Sequence, residues 1–205
     1  MTVLKTYRIA GTLAIASVFG LILGPVVSAA TTGTTTLQAQ VGYTISLDSV
    51  SAATTTLTIA PASGGSQTTA STAVTITTND SAGYTLSHYS TSATLTNGAN
   101  TIASTAGTWT APIALANNTW GYALPSTTTG LTPGSNGFDA SYTAITNQTT
   151  SAAKYAAMPT SSTAVRATSA AATADVTTFW YSAKIDNTKP SGTYSTTINY
   201  SVVGN

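Results

Sequence analysis

Acid–base and metal chemistry have few residues to work with in this chain. Its 205 residues hold one histidine, His88, five acidic side chains that are all aspartate, and no cysteine. A lone imidazole is the one side chain whose unperturbed pKa suits proton transfer near neutrality. The residue types of a Ser-His-Asp arrangement are present, but no Gly-x-Ser-x-Gly elbow occurs. Gly134-Ser135-Asn136-Gly137 comes nearest and has the wrong spacing. Glycosidase chemistry needs two carboxylates at a set separation. Asp80 and Asp186 instead fall in turn-like stretches, where an aspartate side chain caps nearby backbone amides. His88 reads as a strand residue at a sheet rim. The expectation is a protein that is not an enzyme, with no catalytic residues. One histidine without cysteine or glutamate argues against zinc and iron sites, and no Asp-x-Asp-x-Asp loop is present for calcium. Asp186, Asn187 and neighbouring carbonyls form the only weak candidate for a cation, so no metal and no cofactor is expected.

Two stretches carry binding chemistry instead. From Leu37 the apolar residues Leu37, Ala39, Val41, Tyr43, Ile45 and Leu47 alternate without a break with Gln, Gln, Gly, Thr and Ser. Alternate side chains of a strand share one face, so this run presents a single apolar stripe. Such a stripe could pair its backbone with another subunit's sheet edge by strand addition. It could equally be the first strand of its own domain. No lysine or arginine occurs between Ala30 and Ala153 to discourage edge pairing. The second stretch is aromatic. Trp120 and Tyr122 alternate as core residues of a strand, whereas Trp109, between Gly107 and Pro112, reads as an exposed ring able to stack on a glycan. Trp180 stands on the more polar side of its strand, either covered or open.

The elements that must position these residues read as strands. Residues 1–30 have the layout of a secretory signal peptide: Lys5 and Arg8, an uncharged apolar run, Gly24-Pro25, then Val27-Ser28-Ala29-Ala30. A retained anchor is the other reading of that run, which is about the ~20 residues a span needs. Beyond it lie Lys154, Arg166, Lys184 and Lys189 against the five aspartates, with no patch of either sign. That balance excludes a nucleic-acid footprint and a basic membrane-surface helix. The remaining chain is expected to be one domain, residues 31–205, secreted or at the cell surface and free of membrane once the signal is removed. Serine and threonine abound, yet 42% apolar residues and ten tyrosines are too many for a disordered stalk. Threonine suits the polar face of a half-buried sheet.

Further strands are expected around Leu57 and Ile59, Val74 and Ile76, Tyr84 to His88, and Trp120 to Leu124, with a weak one from Phe138 to Ala144. Asn97-Gly98 marks a turn, and residues 125–137 a loop. Two hairpins are predicted. One covers residues 72–89. The other joins Phe179, Tyr181, Ala183 and Ile185 to Tyr194, Ile198, Tyr200 and Val202 through a turn with Pro190 second and Gly192 fourth. Phe179, Tyr181, Ile185, Ile198 and Tyr200 are expected in the core. No 3.6-residue period is sustained, although a short helix around residues 151–158 fits locally. The fold class is all-β: an antiparallel β-sandwich, immunoglobulin-like or jelly-roll-like, of roughly eight strands.

Thr78-Asn79-Asp80, Gly83-Tyr84-Thr85-Leu86, Asn118-Thr119-Trp120-Gly121-Tyr122 and Pro190-Ser191-Gly192-Thr193-Tyr194 together resemble small secreted, threonine-rich β-proteins of ultra-small candidate-phylum bacteria. The resemblance implies a signal peptide and a surface location but no activity. The final strand, Tyr194 to Val202, is similar to the distal motif of WxL-type domains, which bind cell wall, although the Trp-x-Leu motif itself is absent. The expected function is a structural surface protein, a fibre, pilus-like or coat subunit that associates with itself. A carbohydrate- or wall-binding module is the alternative.

Overall fold

The structure, a computed structural model, describes residues 36–124 and 153–205. It divides into two compact units, Met1–Gln40 and Val41–Asn205. Residues 1–30, the expected 125–137 loop and the expected strand at 138–144 lie outside the described residues. Of the first unit, residues 36–40 are described; they are irregular and exposed.

The second unit is all-β among the described residues. Its strands are β1 (Ile45–Val50), β2 (Ser66–Thr78), β3 (Tyr84–Ser90), β4 (Leu95–Asn97), β5 (Asn100–Ser104), β6 (Thr119–Ala123), β7 (Thr163–Ala167), β8 (Ala172–Ile185) and β9 (Ile198–Gly204). One sheet has the order β1-β2-β8-β6-β5-β4 and the other the order β7-β3-β9. All these pairs are antiparallel except β5–β6. The two inner faces pack into one core, in which Val74, Ile76, Leu86 and Phe179 are wholly buried. Alternation builds this core directly: β3 reads buried–intermediate from Tyr84 to Ser90, as a strand with one face inward must.

Both predicted hairpins are overturned. β2 pairs with β1 and β8 while β3 pairs with β7 and β9, so the 79–83 turn carries the chain from one sheet to the other. β8 and β9 likewise belong to different sheets. Their apolar faces meet across the core: the Phe179 and Tyr200 rings lie 5.0 Å apart and the Tyr181 and Tyr200 hydroxyls share a 2.6 Å hydrogen bond. The turn after β8 also differs. Lys189 N–H donates to Asp186 O, which places Pro190 just beyond the turn. Residues leading into β9 then pass β4, where Thr96 and Ser195 exchange two 3.0 Å backbone bonds. Gly83 has φ +85°, and an added Cβ would overlap Thr168 O, so glycine is required at this crossing.

Two smaller expectations are corrected, and one local alternative is closed. Leu57 and Ile59 pack against the core from an irregular segment and form no strand. Residues 155–156 form β-bridges with Ile113 and Tyr122, so no helix spans 151–158. Gly121 lets that segment lie against β6, because a Cβ there would stand 2.6 Å from Ala156 O. Ile198 and Tyr200 are half-buried rather than wholly in the core, since β9 is an edge strand. Truncation of a fully buried isoleucine to alanine costs about 2–5 kcal/mol. Ile198→Ala is therefore expected to cost about 2 kcal/mol or less in chemical denaturation; a loss above that range would place Ile198 in the sealed core.

Candidate functional site

The apolar run from Leu37 does not act as one strand. Ile45 and Leu47 turn into the sandwich within β1 and pack against the core. Leu37, Val41 and Tyr43 are 94%, 84% and 68% exposed, and Ala39 is exposed with them. The break has a local cause. β1 pairs with β2 from Ile45↔Thr78, and β2 ends there, so earlier residues meet no strand. Asn79 occupies the next position and bonds the approaching chain with its side chain. Thr44 N–H donates to Asn79 Oδ1 at 2.6 Å, and Asn79 Nδ2 donates to Gly42 O at 3.3 Å. The Asn79 N–H also donates to Thr44 O at 3.3 Å, so the ladder gives one last backbone bond at Thr44, the amide side chain takes over from there, and residues 36–43 are left without strand pairing. In the sequence, Asn79 reads only as a turn residue.

The four sheet edges differ in how they resist pairing. β1 carries a bulge between Leu47 and Ser49, with Asp48 at the bulge. The Asp48 carboxylate accepts from the Ser46 and Thr77 hydroxyls, which hold its pKa below the usual carboxylate value. β4 has three residues and its outer side is occupied by Ser195. β7 is bulged against β3 between Leu86 and Ser87. Among the edges longer than three residues, β9 alone pairs in unbroken register over its whole length, Tyr84↔Gly204 to Ser90↔Ile198, and it contains no charge and no proline. Bulges, charges and shortness are the ordinary means of blunting an edge. Three edges have one or more of them; β9 has none.

No family model, curated protein or solved structure matches the chain.

The aromatic candidates are placed as follows. Trp120 and Tyr122 are buried core residues, and the Trp120 indole N–H donates to Ala93 O at 3.0 Å. Trp109 sits in the turn closed by Thr108 and Ala111, but its ring is half-buried and packs against the core rather than standing open. Trp180 lies on the outer face of its sheet, opposite Phe179 and Tyr181. It is half-buried, with its indole N–H enclosed and without an acceptor among the described residues. The three tryptophans therefore do not form one exposed platform.

The titratable groups are mostly structural. Asp80 Oδ1 accepts from Ala82 N–H at 2.9 Å, the capping role expected of it. Asp186 accepts from the Thr188 hydroxyl and amide and from the Asn118 and Asn117 side chains. These donors, Thr188 foremost, lower its pKa to about 2. Oδ1 takes three of these bonds and Oδ2 one, from Asn117 at 3.2 Å. No group of three or more metal-binding side chains occurs among the described residues.

His88 is not at a rim. It occupies the middle strand of the smaller sheet, fully buried, with Tyr122 edge-on at 4.6 Å and Phe179 at 5.1 Å. Neither ring nitrogen has a hydrogen-bond partner among the described residues. Burial disfavours the charged imidazolium and lowers its pKa from 6.5 to about 3.

A buried ion pair is not evident from the sequence. Arg166, 2% exposed, donates to Asp175 Oδ2 at 2.5 Å, to Val176 O at 3.1 Å and to the Thr177 hydroxyl at 3.0 Å. The Tyr84 hydroxyl donates to the same Asp175 oxygen at 2.9 Å. Burial above all, reinforced by the Asp175 carboxylate, raises the Tyr84 pKa despite the opposing Arg166 charge. Just before Asp175, Ala174 adopts φ 49°, and the register of β8 against β2 shifts close by. A left-handed alanine costs about 1–2 kcal/mol. The available signal in the sequence is Arg166 itself, a charge interrupting the run Thr163-Ala164-Val165.

Proposed function

We propose that the chain is a secreted structural subunit of the cell surface, joined to its neighbours by strand addition through residues 37–43. The observation that supports this reading is the exposure of Leu37, Val41 and Tyr43 on a segment without strand pairing. Exposed single apolar residues are common on proteins. Four at alternate positions in seven residues form a strand's worth of one face, ready to bury on contact. The near-balance of charge offers little repulsion between copies. Ile45 and Leu47 are engaged in β1, so the joining strand is shorter than the full alternating run.

Deletion of residues 31–41 tests this reading. Protein from the full chain is expected to assemble into oligomers or filaments in size-exclusion chromatography and negative-stain microscopy. The deletion variant is expected to remain monomeric with a melting temperature within a few degrees of the parent. Unfolding of the variant would show that the segment belongs to its own sandwich. A parent that stays monomeric but is retained on peptidoglycan or glycans would favour the binding-module reading instead.

A further inference from the structure

Self-association through residues 37–43 leaves the acceptor unspecified, and the edges of the two sheets point to one. We infer that the outer edge of β9 receives residues 37–43 of a second copy of this chain; this rests on the proposed strand addition.

The ladder geometry of β9 fixes which of its groups are available. Thr91 N–H donates to Thr197 O, and Asn205 N–H donates to Gly83 O. In an antiparallel pair, hydrogen-bonded and non-hydrogen-bonded positions alternate. The odd-numbered residues from 197 to 205 therefore direct their N–H and C=O groups toward β3. Ile198, Tyr200, Val202 and Gly204 direct theirs outward, where no described strand pairs with them. Four outward rungs are what an added strand of seven residues requires.

The side chains agree with the backbone. Ile198, Tyr200 and Val202 lean toward the core and are half-buried, leaving the rim of the core partly open along this edge. Ser201 and Val203 face the other way and are exposed, Val203 by 59%. An incoming strand in matching phase places Leu37, Ala39, Val41 and Tyr43 over that open rim and Gln38, Gln40 and Gly42 beside Ser201 and Val203. At about 3.3 Å per residue, both segments extend about 23 Å. Neither carries a charge. A one-residue slip would turn Leu37 and Val41 to solvent, so the apolar pattern itself selects the phase.

A donor from the same chain is the competing occupant. Tyr43 already stands against Gly204 at one end of β9, yet Val41 and Tyr43 stay largely exposed. The side chain of Asn79 holds Gly42 and Thr44 through two hydrogen bonds that folding back along β9 would have to break. A donor from a second copy approaches β9 from outside and need not fold back along its own chain.

The lack of native cysteine makes cross-linking a clean test. Full-chain protein carrying Ser201→Cys is mixed with protein carrying Gln38→Cys, Gln40→Cys or Gly42→Cys, then oxidised. A disulfide-linked heterodimer is expected for at least one of the three donors. Val203→Lys, at an exposed position, is expected to lower assembly at least about tenfold while leaving the melting temperature unchanged. Assembly without cross-linking at Ser201 and unimpaired by Val203→Lys would overturn the β9 assignment while leaving self-association intact. A cross-link formed within one chain by a Gln40→Cys/Ser201→Cys double variant at high dilution would overturn the second-copy donor. A parent that is monomeric at every concentration would overturn the proposed strand addition as well.

Discussion

Replacing Asp175 with alanine is expected to destabilise the protein by about 3 kcal/mol or more, among the largest effects of any single substitution. Breaking a buried pair strands its remaining charge, typically at about 3–5 kcal/mol. Arg166 is 2% exposed, so its guanidinium has almost no water around it, whereas Asp175 is 23% exposed and keeps some. The charge left behind in Asp175→Ala is thus the more deeply buried of the two, which keeps the loss within that range. The Tyr84 hydroxyl also loses its acceptor. The order of effects is as informative as their size. Arg166→Met leaves a carboxylate that water can reach, so it is expected to cost less than Asp175→Ala. The double variant Arg166→Met/Asp175→Leu removes both charges and is expected to recover part of the single-variant loss, because apolar replacement of a buried pair is often neutral. Denaturant melts of the four proteins rank these losses. A change below about 1 kcal/mol for Asp175→Ala would mean that water already solvates Arg166.

Acid is expected to weaken the fold through His88. Its folded pKa, about 3, lies below the unfolded value of 6.5. Between those values the unfolded chain binds the extra proton. Stability from this group is therefore complete above pH 6.5 and is lost as pH falls toward 3. One pKa unit corresponds to about 1.4 kcal/mol, so the loss at about pH 4 is roughly 3 kcal/mol. For a domain of this size that lowers the melting temperature by about 6–12 °C. Every other ionisable group is common to the parent and a His88→Leu variant, so its contribution cancels in the comparison. The variant is expected to lose clearly less than the parent between about pH 7 and pH 4. Equal losses would show that the imidazole is already solvated in the folded protein.

The strand faces are legible in the sequence, but not how the strands are joined. Alternation at Val74–Ile76, Tyr84–His88, Trp120–Tyr122 and Phe179–Ile185 marks side chains that are buried in the structure. The same alternation arises whether consecutive strands pair in one sheet or face each other across two. This ambiguity is why residues 72–89 and 174–205 read as hairpins. The deciding contacts are tertiary: Gly83 pressed against Thr168, and Ser195 bonded to Thr96. At the candidate site, the apolar stripe from Leu37 is visible in the sequence, whereas its division at Thr44 is not. That division depends on where β2 ends and on one asparagine side chain. His88 reads as a rim residue because a single polar residue in an apolar strand looks like a boundary. The pairing of Arg166 stays hidden because its partner lies beyond a turn and a kink at Ala174.

The strand order has a kinetic corollary. β8 lies between β2 and β6 in the larger sheet, and its register with β2 joins Ser66 to Ile185. The smaller sheet likewise needs β9, the last strand, to flank β3. Contacts of such long range close slowly, because the intervening chain must give up its entropy first. As the ribosome releases this polypeptide, β1, β2 and β4 to β6 have emerged while β8, which unites them in one sheet, is still being made. The core is therefore expected to stay incomplete until β8 and β9 have both appeared.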